Sequence, residues 1–251
     1  MDTFINKTIV ITGAGAGIGR ATALAFARKQ GNVVVSDIAV AAGEETVDLI
    51  KKEGGEATFI EADVTSLPQI KNLMQQAVHI YGSLDVGINN AGIGGPFKRT
   101  AEYLDEDWEK VIAINQTGVF HCMREQLKIM LAQEKGAIVN VSSIAGLRGM
   151  ENTCAYVASK HAVLGLTKTA GREYARQNIR INAVCPVFTK SALIDQIFDV
   201  NPAYEDILRK AIPMRRFGET EDIANAILWL SADAASFVTG LCLPIDGGLT
   251  A

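Results

Sequence analysis

The sequence is poor in the residues that usually carry metal, redox or nucleic-acid chemistry. It has only three histidines in 251 residues, His79, His121 and His161, and none stands at ligand spacing from another, so no metal site is expected. Its four cysteines, Cys122, Cys154, Cys185 and Cys242, never form a C-x-x-C pair. That argues against a disulfide framework or a zinc site and for reduced thiols in a cytoplasmic protein. No Lys/Arg cluster offsets a net charge of −4, so a nucleic-acid partner is not expected. No apolar run is long enough for a membrane span, and Met1–Thr8 is too short and polar for a signal peptide. There is no G-x-S-x-G nucleophile turn. What remains is a chain 48% hydrophobic and 21% charged, with ample material for a core.

Short β-rich runs alternate with longer helical ones. Strands are predicted at Thr8–Thr12, Val33–Asp37, Ala57–Ala62, Leu84–Asn89, Ala137–Ser142, Arg180–Val184 and Cys242–Ile245. They are continuous apolar runs, as strands covered on both faces require. Helical stretches fall at Gly19–Lys29, Ala42–Glu53, Pro68–Tyr81, Asp107–Gln133, Ala155–Gln177 and Glu221–Ser231. About seven such alternations predict one α/β domain over 1–251, a Rossmann-like doubly wound parallel sheet with helices on both faces. Residues 187–218 break the rhythm and are read as a substrate-binding lid.

The first strand runs into Thr12-Gly13-Ala14-Gly15-Ala16-Gly17-Ile18-Gly19 and then a helix. Glycines allow a tight turn and close approach of phosphate, and the helix N-terminus supplies free N–H groups. The spacing is G-x-x-x-G-x-G on Gly13, Gly17 and Gly19 rather than G-x-G-x-x-G, since Ile18 occupies the last position of the latter. An ordinary flexible turn is the plainer alternative, but strand before and helix after argue against it. Asp37 ends the second strand, where a carboxylate can accept hydrogen bonds from ribose hydroxyls and repel a 2′-phosphate. Neither Ala16 nor Ile38 offers a cation for that phosphate. NAD(H) is therefore favoured over NADP(H), with helix capping as the plain alternative role for Asp37.

Tyr156 and Lys160 are four residues apart and share one helical face. Bringing a phenol from near 10 to about 7 requires roughly 4 kcal/mol of differential stabilisation, which a nearby ammonium can help to supply. Ser143 lies thirteen positions earlier at the end of a strand, and Asn89-Asn90-Ala91-Gly92 ends another at the same sheet edge, where open α/β sheets bind ligands.

TGAGAGIG at 12–19, Asp63-Val64, NNAG at 89–92, Asn115, Ser143, Tyr156 and Lys160 together resemble the short-chain dehydrogenase/reductase family over essentially the whole chain, through Asp246-Gly247-Gly248. The resemblance implies that Tyr156 exchanges the proton at the substrate oxygen. Lys160 lowers its pKa and holds the nicotinamide ribose, Ser143 orients that oxygen, and Asn115 supports a water reaching Lys160. A helix-kinking hydrogen bonder is the plain alternative for Asn115. The implied cofactor residues are Gly13, Gly15, Gly17, Ile18, Gly19, Asp37, Ile38, Asp63, Val64, Asn89, Ala91, Gly92, Tyr156, Lys160, Pro186, Val187, Thr189 and Ser191. Val187 departs from the family's Pro-Gly and puts the geometry of that loop in question; Ser191 takes the place usually held by a threonine, and the resemblance implies a bond from it to the carboxamide.

The pocket residues expected are Gly94, Gly95, Phe97, Ile144, Leu147, Met150, Val187, Phe188 and Leu193. They are mostly apolar and include no cation to fix a carboxylate or phosphate. A hydrophobic ketone or secondary alcohol, aryl ketones included, is the expected substrate. The alternatives are a 3-oxoacyl-carrier-protein reductase, a sugar dehydrogenase of the glucose type, and a non-catalytic nucleotide-binding regulator. The resemblance also implies a homotetramer joined through the helices at Asp107–Gln133 and Ala155–Gln177.

Overall fold

The computed structural model describes residues 3–190, 194 and 203–251, with side chains from 205 onward in the last segment. The core of the fold is one sheet. β1 (Thr8–Thr12), β2 (Asn32–Asp37), β3 (Glu56–Glu61), β4 (Val86–Asn89), β5 (Gly136–Val141), β6 (Ile179–Pro186) and β7 (Cys242–Ile245) are all parallel, in the order β3-β2-β1-β4-β5-β6-β7. The direction of winding reverses between β1 and β4, which opens a crevice at their carboxyl ends.

The apolar strands serve two cores at once. Ile9 and Ile11 of β1 join Val33 and Val35 of β2 on one face, while Val10 and Val34 between them face the other. On the first face they meet α1 (Gly17–Arg28), α2 (Val40–Lys52) and the last helix through Phe26, Ile50, Ile223 and Ile227. On the second they meet α3 (Leu67–Tyr81), α5 (Val119–Gln133) and α6 (Cys154–Glu173) through Leu73, Met123, Met130 and Val163. Period-two alternation between two greasy faces is why the strands read as unbroken apolar runs.

Local chemistry sets the ends of the elements. Gly82 closes α3 in the left-handed region at φ 83°, and a reciprocal capping box between Glu219 and Asp222 starts the last helix. The helix expected at Asp107–Gln133 begins at Asp105 and continues to Gln133, but as α4 (Asp105–Ile112), a π-helical turn (Ala113–Gly118) and α5. The helix expected through Gln177 stops at Glu173, and a separate 3₁₀ turn spans Ala175–Gln177.

Within the expected lid, residues 191–193 and 195–202 lie outside the described residues. The remainder contains α7 (Ala203–Ala211), followed after Gly218 by α8 (Thr220–Ser231). Its two ends meet: Thr189 and Gly218 form a parallel bridge, the Gly218 N–H donates to the Phe188 carbonyl, and the Lys190 N–H donates to the Gly218 carbonyl. Ile194, Ile212 and Phe217 pack with Ile144 and Val187 in a small core beside the crevice.

Candidate active site

A cleft of about 470 Å³ opens along the carboxyl ends of the strands. Its far end is built by the turn after β1. Gly13 and Gly17 have positive φ, 64° and 52°. A Cβ on Gly13 would stand 2.8 Å from the Ala91 backbone, and one on Gly19 only 2.1 Å from the Gly13 carbonyl oxygen. Ala16 at the N-cap of α1 gives no side-chain hydrogen bond, and no acidic residue stands in the first turn. The result is a cradle without side chains facing uncapped helix N–H groups, as a pyrophosphate requires.

Asp37 accepts the Gly15 N–H at 2.8 Å and the Ala39 N–H at 2.9 Å, one on each carboxylate oxygen. It thus fixes the glycine turn and the entry to α2, and each oxygen retains acceptor capacity toward the cleft. Asp63 accepts the Thr65 N–H and hydroxyl, both at 2.8 Å, and lines the cleft with Val64. Among the described lining residues Lys160 is the only cation, and it belongs to the opposite end. The groups present therefore fit the adenosine diphosphate part of a nicotinamide dinucleotide.

At the near end, Tyr156 lies in the first turn of α6, with Lys160 one turn on. The ammonium is buried, donates to the Val141 carbonyl at 2.9 Å and lies 5.6 Å from the centre of the Tyr156 ring. Burial pushes Lys160 down to about 8. Burial also pushes the Tyr156 phenol above its ordinary 10, opposed by a hydrogen bond with Ser143. The chain's own groups thus do not bring the phenol toward 7, because desolvation outweighs what the Ser143 hydrogen bond supplies. The Ser143 oxygen accepts the Ala145 N–H at 3.1 Å, which leaves its hydroxyl proton to point elsewhere. Tyr156 and Ser143 can together donate to one substrate oxygen.

Asn115 sits fully buried in the π turn, where its amide pairs with both backbone groups of Ile93, at 2.9 and 2.8 Å. It also donates to Ser159 at 3.3 Å, and Ser159 donates to the Tyr156 carbonyl. Asn115 thus bonds at a helix irregularity and braces the segment after β4 against α6.

Most of the expected residues converge on the cleft. Gly13, Gly17, Ile18, Asp37, Ile38, Asp63, Val64, Ala91 and Gly92 line the dinucleotide end. Pro186, Val187 and Thr189 line the middle, and Gly94, Phe97, Ile144, Met150 and Phe188 the near end. Besides the buried Asn115, five others stand elsewhere. Gly15 and Gly19 support the turn from behind. Asn89 is buried below it, bonded to Gln126 and Asn140. Gly95 packs on the Tyr103 hydroxyl and Val111, and Leu147 is largely solvent-facing. Ser191 and Leu193 lie outside the described residues. Val187 needs no glycine-like conformation: it is buried and donates its N–H to the Ile245 carbonyl.

Asn90 belongs to the NNAG turn expected at the cleft, whereas Ile194 and Thr153 are among the lining residues not expected from the sequence. Asn90 staples β1 to β4 by donating to the Thr12 and Gly13 carbonyls at 3.0 and 2.9 Å. Ile194 and Thr153 join the wall. Thr153 was visible as a threonine just before a helix, a pattern that points to capping rather than to a pocket.

Comparison with known proteins agrees with this geometry. The family model described as enoyl-(acyl carrier protein) reductase matches residues 13–250. An uncharacterized oxidoreductase of Thermotoga maritima is 43% identical over 99% of both chains. A cyclohexanol dehydrogenase of Acinetobacter sp. is 42% identical, covering 98% of this chain and 96% of that one. A 2,5-dichloro-2,5-cyclohexadiene-1,4-diol dehydrogenase of Sphingobium indicum is 39% identical over the whole of both. Among solved structures, levodione reductase superposes with a TM-score of 0.95 at 32% identity, over 98% of both chains. NAD+-bound xylitol dehydrogenase gives 0.94 at 34%, covering 98% of this chain and 99% of that one.

Proposed function

This chain belongs to the short-chain dehydrogenase/reductase family, and from that premise we propose that it is an NAD(H)-dependent enzyme interconverting a hydrophobic secondary alcohol and its ketone. The observation that carries the reading is the polarity of the two ends of the cleft. The dinucleotide end has a carboxylate, Asp37, and no cation among the described lining residues. The substrate end sets Tyr156 and Ser143 among Phe97, Ile144, Met150, Val187, Phe188 and Ile194.

When bound, a nicotinamide dinucleotide would supply the hydride acceptor or donor for the carbinol carbon and, when oxidised, a positive charge beside the phenol. The protein manages the proton. In ketone reduction the Tyr156 phenol donates it to the substrate oxygen, while the Ser143 hydroxyl stabilises the developing negative charge. In alcohol oxidation the phenolate accepts it. Lys160 supplies the nearest positive side chain to the phenol, and the first turn of α6 adds the positive end of a helix dipole. We assign residues 187–218 the role of a substrate lid; of the described ones, Val187, Phe188 and Ile194 line the apolar end.

The cyclohexanol dehydrogenase relative supports a compact cyclic substrate. A 3-oxoacyl-carrier-protein reductase is the second reading, favoured by a relative of that activity in Staphylococcus epidermidis that is 38% identical, covering 98% of this chain and 99% of that one. We further propose a cytoplasmic homotetramer joined through α4–α5 and α6; Trp108, Phe120 and Leu131 are exposed apolar residues on those helices.

The deciding experiment follows absorbance at 340 nm with NAD(H) and NADP(H) against cyclic and aryl ketones and alcohols, sugars and an acetoacetyl thioester, for the wild type and Tyr156→Phe. NADH-linked turnover of apolar ketones that vanishes in the variant supports the proposal. NADPH-linked turnover of the thioester alone supports the second reading and sinks the first.

A further inference from the structure

Thr153 occupies the N-cap of α6, three residues before Tyr156, and is only 6% exposed. A threonine there normally accepts a hydrogen bond from a first-turn N–H. This one does not. Its side chain makes no capping bond; its hydroxyl instead donates to the Met150 carbonyl at 3.0 Å. A carbonyl can only accept, so the Thr153 proton is committed and its oxygen offers only lone pairs. Among the described residues no donor reaches them, and the residue lines the cleft beside Met150 and Phe97. The backbone fixes this placement: Thr153 bridges to Lys98, whose N–H donates to the Asn152 carbonyl.

Ser143 is the mirror case. Its oxygen already accepts from the Ala145 N–H, and its hydroxyl, bonded to the Tyr156 phenol, faces the substrate oxygen as a donor. The substrate end therefore combines two donors for one oxygen, Tyr156 and Ser143, with one buried acceptor. The acceptor has no use for a plain hydrocarbon ring, and an unmatched buried polar oxygen disfavours such a ligand.

We propose that Thr153 reads a second hydroxyl on the substrate, so that the site is built for a cyclic, otherwise apolar diol or hydroxyketone. This inference rests on the reading of the cleft as a site for hydrophobic secondary alcohols and narrows it. The reaction is diol plus NAD+ to hydroxyketone plus NADH plus a proton. The carbinol C–H bond breaks with its electron pair passing to NAD+, Tyr156 takes the O–H proton, and the second hydroxyl donates to Thr153 unchanged.

The test compares kcat/KM for cyclohexanol with those for the cis and trans cyclohexane-1,2-, 1,3- and 1,4-diols, using the wild type, Thr153→Val and Thr153→Ser, with melting temperature measured for each. The wild type should prefer at least one diol. The ratio of that diol to cyclohexanol should fall about tenfold in Thr153→Val, as loss of one uncharged hydrogen bond predicts, and be retained in Thr153→Ser. An unchanged ratio in Thr153→Val overturns the inference, as does an equal fall for both alcohols with a lowered melting temperature, which would mark a structural cap. If every form oxidises cyclohexanol but no diol is preferred, this inference alone fails. If no cyclic alcohol is oxidised by any form, the hydrophobic-alcohol reading fails and takes this one with it.

Discussion

The two ends of the sheet are built from the same strands and behave in opposite ways. At the amino ends polar groups are matched. Asp85 accepts from Lys7 at 3.2 Å, from the Thr8 N–H at 3.0 Å and from Ser83 at 2.7 Å. Gln133 pairs with both backbone groups of Leu84, and Arg180 donates to the Leu230 and Ala232 carbonyls. At the carboxyl ends hydrogen-bonding capacity is left over: uncapped N–H groups in α1, lone pairs on Asp37 and Thr153, and a buried ammonium at Lys160. One end is assembled for stability. The other carries unfavourable terms that a ligand can relieve.

Lys160→Met should break that contrast most sharply. Activity should fall by on the order of 10³-fold, since the phenol loses its nearest cation. Stability should change in the other sense. The folded Lys160 sits near 8, below its ordinary 10.5. Between those values the unfolded chain binds more protons, so the wild type gains stability relative to the variant as pH rises through that window, by up to about 3 kcal/mol. Chemical denaturation at pH 7 and pH 10 checks this; an equal difference at both would contradict it.

Asp85→Ala attacks the opposite end. Three hydrogen bonds are lost, and stability should fall by about 3 kcal/mol with kcat unchanged. A variant that lost activity while keeping its stability would erase the distinction between the two ends. Asp37→Ser should reduce the preference for NADH over NADPH about tenfold or more, because the charge that repels a 2′-phosphate is gone. Ratios of kcat/KM for the two cofactors measure it directly. The mildest perturbation is pH itself. Burial holds the Tyr156 phenol up, so alcohol oxidation, which needs the phenolate, should rise about tenfold per unit below that pKa. Ketone reduction should not rise with it. Profiles of kcat/KM in both directions reveal a shared rise, which would assign the limiting proton to another group.

The architecture and most of the site were legible from residue order because both depend on local patterns. β-branched runs such as Thr8–Thr12 and Val33–Val35 point to buried strands, and a glycine turn between strand and helix points to phosphate. What escaped depends on partners far apart in the chain. Asn89 reads as a cleft residue, yet it meets Gln126 and Asn140, 37 and 51 positions away, and turns inward. No spacing rule shows that Asn140 in turn reaches Thr167. The upward push on Tyr156 escaped for a related reason: the lysine is evident in the sequence, whereas the depth of burial is not. Thr153 escaped because its local signal points to a different role.

The bridge between Thr189 and Gly218 means that the two ends of the excursion after β6 meet at nearly one point. A segment with its ends clasped together can vary in length with only a slow, logarithmic entropic penalty. Such a segment is a cartridge. Related sequences could be swapped between those two clasped residues, with Tyr156, Lys160 and Ser143 lying wholly outside the exchange, so the part of the wall that Ile194 supplies can evolve apart from the groups that handle the proton.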